Sequence, residues 1–520
     1  MAESRLGNDN TNITKRSFKA AGWVLIVKFA SQFIQVFLEI CLLRLLTPHD
    51  YGVIGILTLF WSISYVFIQG GFGQALIQRK EVTEIDLCSV FYYNIFLSLV
   101  CFALLVGFAK KIALFYDEPV LEKTIYVTAW TLPISALVSV QIALLDRRLK
   151  QLFVTISTLA SHLIASVIAI FIARRGYGLW AIVWQQLIAA FLSSISVFCF
   201  ARWIPKFRFS FKALGSLFAF GSKLLLIEIL NVFTTHFSSL IIGKKYPTSL
   251  LGIYTRARKY ANLWPTSVQG AVGRVLFPAY SKIQDDLPRL RSAFSRSLAV
   301  STFAVVFLPF LICTLCKPFI TLVLGDKWLG CVPYWWLVTC TVVFYPIQVL
   351  NMQLLKARGR SDLYLFLEII KKSFFVIQVV ILLLYGIIPM LIGEIFFSFV
   401  GVYLNSYFSG RDLKYGLFKQ LSDIFPYVAI TVPSCLAAWE FYWTVSEFLS
   451  RALLALPASA PASMHGVLSL AASWTGFILS GLVGVLVYVV FNRCFRTPAL
   501  REIANLLGGR FPKVKRVLFY

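Results

Sequence analysis

The chain has 520 residues, of which 59% are hydrophobic and 14% charged, against about 25% charged in an ordinary soluble domain. Its mean hydropathy is +0.78. A soluble enzyme, a coiled coil and a disordered chain are excluded, because none could cover its surface with so little charge. What remains is an integral membrane protein. An outer-membrane barrel fails too: barrel strands alternate apolar and polar residues, whereas Phe303–Ile312 and Phe374–Leu384 are almost continuously apolar.

In chain order, the apolar runs predict an all-α polytopic protein with about fourteen transmembrane helices. They fall at 20–43, 51–74, 88–108, 125–144, 153–172, 179–201, 214–242, 251–277, 298–316, 332–355, 364–385, 387–408, 421–442 and 467–491. The first run follows nineteen mostly polar residues and is long enough to stay in the membrane, so it is read as a span rather than a leader. The connections are short. The tail from Arg493 to Tyr520 is basic and mildly amphipathic, which suits a cytoplasmic membrane face.

Lys and Arg number 49 against 23 Asp and Glu, a net +26. In a soluble chain that would point to nucleic acid; here it is read as topology. With the N-terminus inside, inside segments hold 30 Lys and Arg and outside loops 11. That asymmetry predicts both termini in the cytoplasm and accounts for most of the charge without a nucleic-acid partner. The ten cysteines lie mostly within apolar runs, and Cys313 and Cys316, the single CxxC, read as buried helical neighbours. His49, His162, His236 and His465 have no metal-ligand spacing, and no P-loop is present. No cofactor, metal or catalytic residue is expected.

The chain resembles itself at an offset of 200. Phe18–Ile77 aligns without gaps to Phe218–Phe277, with Gln69-Gly70-Gly71-Phe72-Gly73 over Gln269-Gly270-Ala271-Val272-Gly273 and Gly52 over Gly252. Six spans separate the copies, so both have the same orientation, and a parallel pseudo-twofold along the membrane normal follows. The expected domains are a six-helix lobe at 1–209, a second at 210–415, two additional helices at 416–491 and a basic tail at 492–520.

Polar residues inside spans are costly. Lys28, Gln32, Gln35 and Glu39 form one stripe on the first span, and Glu228, Asn231, Thr235 and Ser239 form the matching stripe on the seventh. Either they line a cavity or they join helices by hydrogen bonds. On the eighth span Arg258, Lys259, Asn262 and Gln269 share a face with Gly273; Arg256 lies opposite, and Arg274 lies toward the inner end. Terminal cations there could instead snorkel to headgroups. Pro265 is expected to kink that helix, and Glu368 and Lys372 to pair on the eleventh span. Lys28, Arg256, Arg258, Lys259 and Arg274 are the candidate substrate cations. Gln32, Gln35, Asn231, Asn262 and Gln269 are candidate lining, and Glu39 and Glu228 candidate ion-coupling acids. Such a set suits an anionic substrate, since Arg offers a planar fork to phosphate oxygens.

The segments LLRLLTPHDYGVIGI at 42–56, GGFGQALIQRKEVTE at 70–84, GRVLFPAYSKIQDD at 273–286 and QLLKARGRSD at 353–362 resemble those of Wzx-type polysaccharide exporters. The resemblance is to the colanic-acid and teichuronic-acid subgroup of the multidrug/oligosaccharidyl-lipid/polysaccharide flippase superfamily, over roughly residues 15–415. It implies two six-helix lobes working by alternating access in the bacterial inner membrane. It implies an undecaprenyl-pyrophosphate-linked oligosaccharide as substrate, with membrane lipids, a polymerase and export machinery as possible partners. A cation-coupled small-molecule exporter of the same fold is the alternative. A membrane polysaccharide polymerase or glycosyltransferase is a more distant one, disfavoured by the short outer loops.

Overall fold

The computed structural model describes residues 27, 30–454 and 462–502, apart from Gly70, Lys80 and Leu149. Among these the chain is all helical. Helix α1 covers 30–45, followed by α2 (Pro48–Gln69), α3 (Phe72–Gln78), α4 (Glu84–Tyr116), α5 (Val120–Thr128), α6 (Thr131–Ala136) and α7 (Ser139–Arg147). Next come α8 (Gln151–Arg174), α9 (Trp180–Ala201), α10 (Phe211–Lys245), α11 (Thr248–Ser281), α12 (Leu287–Thr314) and α13 (Cys316–Phe319). The last six are α14 (Cys331–Val342), α15 (Tyr345–Ala357), α16 (Ser361–Leu382), α17 (Ile387–Leu413), α18 (Leu417–Leu454) and α19 (Ala462–Cys494).

Among the described residues nine helices are long and apolar enough to cross a membrane, or up to eleven if each bent pair forms one span. The expected fourteen and these nine differ for physical reasons. The fourth and tenth predicted spans are each broken, bending by 41° between α6 and α7 and between α14 and α15. Helices α11 and α16 carry Arg256, Arg258, Lys259 and Arg274, and Asp362, Glu368, Lys371 and Lys372 respectively. Their charge keeps them below the apolar threshold for a free-standing span, so their place among other helices rests on partners. The start of the first span lies outside the described residues.

Helix starts follow local sequence. Thr47 and Asp50 form a reciprocal cap on α2, with Thr47 N donating to Asp50 Oδ2 at 2.9 Å and Asp50 N to Thr47 Oγ1 at 3.3 Å; Pro48 occupies the first turn, where its missing N–H costs nothing. Thr83 and Asp86 repeat the device on α4. Ser210 and Asp286 cap α10 and α12. The family-like segments at 42–56, 70–84 and 273–286 thus each include a turn or cap: Thr47–Asp50, Gly71 with Thr83, and Asp286.

The chain divides into two compact units, Met1–Gly252 and Ile253–Tyr520. In the first, α8 packs on α9, and α10 on α2 and α4. A Cβ on Gly52 would lie 1.8 Å from Thr248 O, and one on Gly252 would lie 1.9 Å from Pro48 O. The contact is reciprocal at the offset of 200: 52 meets 248 as 252 meets 48. Only glycine permits so close an approach. The repeats also diverge. Gly71, at φ +89°, breaks the first copy between α2 and α3, whereas Ala271 lies within the unbroken α11, because a residue with a Cβ strongly disfavours that conformation.

In the second unit, Tyr280, Leu290, Phe294, Leu298, Ile347 and Leu350 form a core joining α11, α12 and α15. Helix α18 packs on α12 and α19, and Tyr488 stacks on Phe307 with centroids 3.9 Å apart. In each unit many large apolar side chains are exposed, among them Phe96 and Phe171 in the first and Phe396 and Phe425 in the second. That suits lipid rather than water.

Candidate functional site

The most basic helix, α11, carries the site. At 100° per residue Arg258, Asn262, Gln269 and Gly273 fall within a narrow stripe, and the structure turns this stripe inward. Gln269 is buried and its Nε2 finds no hydrogen-bond partner among the described residues. A Cβ on Gly273 would lie 2.9 Å from Gln353 Nε2. Asn262 Nδ2 donates to Arg258 O at 3.0 Å, so this amide serves its own helix. Pro265 lies within α11, which continues through it; Thr266 and Ser267 hydroxyls bond carbonyls of the preceding turn, which helps a helix tolerate proline.

Arg258 does not face empty space. Its Nη2 donates to Glu394 Oε1 at 2.7 Å and its Nη1 to Glu394 Oε2 at 3.1 Å, the parallel two-point geometry of a guanidinium on a carboxylate. Nη1 also donates to Tyr254 OH at 2.6 Å. The Arg258 side chain remains 26% exposed and Glu394 17%, so the pair is sheltered but reachable. Glu394 was not among the residues singled out from sequence. It is the lone acid in the apolar stretch Pro389–Phe399, and a search for counter-ions to the in-span cations would have found it.

Around Glu394, α15, α16 and α17 line a half-open cavity of about 160 Å³ whose wall also includes Gln348, Lys371, Gln378, Phe397 and Ser398. Gln348 Nε2 donates to Ser398 O at 3.2 Å and Gln378 Nε2 to Met390 O at 2.6 Å, while Gln378 Oε1 is buried without a partner among the described residues. Glu368 accepts from Lys371 Nζ at 2.6 Å, three residues on; the spacing had suggested Lys372.

Of the other expected residues the structure gives the following. Lys259 is exposed on α11 and Arg256 is half-buried. Lys28 and the Arg274 side chain lie outside what the structure describes. In the first unit Gln32 and Glu39 are half-buried on α1 and Gln35 is exposed. On α10, Asn231 Nδ2 donates to an exposed Glu228 Oε2 at 3.2 Å. Among the described residues no cluster of three or more His, Cys, Asp or Glu is placed to hold a metal ion.

Residues 41–333 match the family described as polysaccharide biosynthesis protein. The chain belongs to that family. The succinoglycan biosynthesis transport protein ExoT of Rhizobium meliloti is 25% identical over 311 residues, 59% of this chain and 62% of that protein. The chain therefore aligns with less than two thirds of ExoT. The teichuronic acid biosynthesis protein TuaB of Bacillus subtilis is 26% identical over 365 residues, 68% of this chain and 73% of that protein. The chain's fold is similar to that of the lipid II flippase MurJ in its inward closed conformation, with TM-score 0.70 and 15% identity over 90% of this chain and 98% of MurJ. An inward-facing multidrug resistance MATE transporter aligns with TM-score 0.53 and 13% identity, over 75% of this chain and 99% of its own. The chain is thus a multi-pass membrane protein of the transporter fold that MurJ and MATE proteins share.

Proposed function

We propose that this protein is a flippase that moves an undecaprenyl-pyrophosphate-linked oligosaccharide, a unit of capsule, exopolysaccharide or O-antigen, from the inner to the outer leaflet of the bacterial cytoplasmic membrane by alternating access. The observation that carries the reading is membership of the polysaccharide biosynthesis family on a MurJ-like fold spanning 90% of the chain. The chemistry of α11 is consistent with it. Sugars and a pyrophosphate cannot enter hydrocarbon without losing their hydration, and Arg258, sheltered and still reachable, offers a planar fork to phosphate oxygens. Lys28 and Arg274 would receive the head group at the inner end, and Arg258 with Lys259 would hold it toward the outer end. Arg256 would add to the field. Gln32, Gln35, Asn231, Asn262 and Gln269 would serve the sugar hydroxyls, and Glu39 and Glu228 would carry a coupling ion. Both termini would lie in the cytoplasm. A polymerase and export machinery would receive the product, and the protein itself would be a transporter rather than an enzyme.

The MATE likeness favours one second reading, a cation-coupled exporter of small molecules. A cationic drug would meet the most basic helix of the chain, which weighs against it.

The test is reconstitution of the full-length protein in liposomes with a fluorescent lipid-linked oligosaccharide, using a membrane-impermeant glycosidase to score the leaflet. Protein-dependent exposure of the sugar supports the reading. No exposure, with export of a cationic dye instead, would establish the second.

A further inference from the structure

Arg258 offers two parallel N–H groups, and in this structure both are taken by a carboxylate from its own unit. From this we infer that Glu394 is an internal counter-ion that stands in for the substrate's phosphate, so that only an anion able to displace a carboxylate is admitted to Arg258. The inference rests on the flippase reading and specifies how the same site selects its ligand.

Three observations support it. First, the pair has the bidentate geometry that a phosphate would need, so substrate and Glu394 compete for the same donors rather than binding side by side. Second, the Arg258 side chain is 26% exposed and so is not sealed within the helices. Third, the displaced carboxylate has somewhere to go. Glu394 lies on the wall of the cavity between α15, α16 and α17, with Lys371 on the same wall. Gly401 also lines the cavity, and a Cβ there would already be 3.5 Å from Lys371 Cδ. The charges shown at this exchange among the described residues include Arg258 from α11, Glu394 from α17, and Lys371 with its partner Glu368 from α16. Tyr254 adds a hydroxyl.

The consequence is specificity by charge. A phosphodiester lipid brings one negative charge and, in exchanging for Glu394, gains nothing in the count at Arg258. A pyrophosphate head group brings at least two, and the surplus remains to drive the exchange. Bulk anionic phospholipids are thereby refused although they surround the protein in excess. Without a ligand, Glu394 also keeps Arg258 from being left as a buried unpaired charge.

The experiment is titration calorimetry on full-length protein in neutral-lipid nanodiscs at pH 7.5 and fixed ionic strength. The probes are inorganic pyrophosphate and the monoanionic diester dimethyl phosphate. The wild type should bind pyrophosphate and not the diester. Glu394→Gln should bind pyrophosphate about tenfold tighter, since losing the competitor is worth about one charge-assisted hydrogen bond, and should now accept the diester. Structural damage would weaken binding, so a gain cannot come from misfolding. Glu394→Asp, which keeps the charge but shortens the reach, should fall between the two and serves if the Gln variant does not fold. Lys371→Met should weaken pyrophosphate binding in the otherwise unchanged protein. If Arg258→Ala abolishes binding while Glu394→Gln and Glu394→Asp are no tighter than wild type, the counter-ion inference is overturned and the flippase reading stands. If Arg258→Ala leaves pyrophosphate binding unchanged, the assignment of phosphate to Arg258 falls with it.

Discussion

Arg258 and Glu394 show why an ionic pair among apolar helices is a commitment rather than a simple gain. Taking either partner away strands the other in a sheltered site, at a cost of about 3 kcal/mol or more. Glu394→Ala should therefore lower the unfolding temperature of the detergent-solubilised protein, as Arg258→Ala should. The double replacement Arg258→Met with Glu394→Leu should recover most of the loss, because two apolar side chains leave no charge behind. A thermal unfolding double-mutant cycle checks this; additive losses would mean that the pair is not coupled. In transport, Arg258→Lys should restore only part of what Arg258→Ala removes, since an ammonium cannot donate along two parallel bonds. Gly52 and Gly252 make a different residue-scale prediction. Alanine at either position would drive a Cβ to within 2 Å of a backbone oxygen, and overpacking of this kind costs about 1–3 kcal/mol. Each variant should be less thermostable than wild type, and to a similar extent, because the two contacts are reciprocal.

At the scale of the element, amphipathic pattern and capping explain where helices begin, and charge explains which of them need partners. Residues 88–108 and 421–442 were expected as spans, yet α4 runs over Glu84–Tyr116 and α18 over Leu417–Leu454. An apolar window marks what a bilayer would cover, while a cap such as Thr83–Asp86 lets the helix start before that window. The break after α2 is local chemistry again. Gly71 sits at φ +89° and ψ −46°, a region that residues with a Cβ enter only at a cost of about 1–3 kcal/mol. Gly71→Ala should destabilise the α2–α3 break and be partly accommodated by continuing the helix, as α11 does at Ala271. Cysteine accessibility along 70–76 should then change from an irregular pattern to a 3.6-residue period; an unchanged pattern would show that tertiary packing, not Gly71, sets the break.

For the whole molecule, the split of 30 Lys and Arg inside against 11 outside predicts that a reporter fused after Tyr520 is active only as a cytoplasmic fusion. Periplasmic activity would shift the topology by one span, and the two bent pairs, α6 with α7 and α14 with α15, are where such an error would enter. Exchanging inside cations such as Lys206 and Arg208 for neutral residues should weaken this orientation without touching the α11 site.

Composition and periodicity were enough to place a helical polytopic protein, because the bilayer demands long apolar helices whatever their neighbours. Gly52 and Gly252 were legible for a related reason: each marks a backbone approach that no larger residue allows. The in-span cations were legible as residue types, since each is expensive wherever it lies. What each of them faces was not. The sequence places Arg258 and Lys259 side by side as equals, yet one is locked to Glu394, 136 residues away, and the other is exposed. One step of 100° around α11 separates those fates, and the carboxylate that α17 presents to Arg258 decides between them. The Glu394 counter-ion, the cavity beside it and the break at Gly71 with its unbroken counterpart in α11 belong to tertiary structure. Each depends on which helices meet, and helices far apart in the chain meet by shape and partner rather than by any local rule.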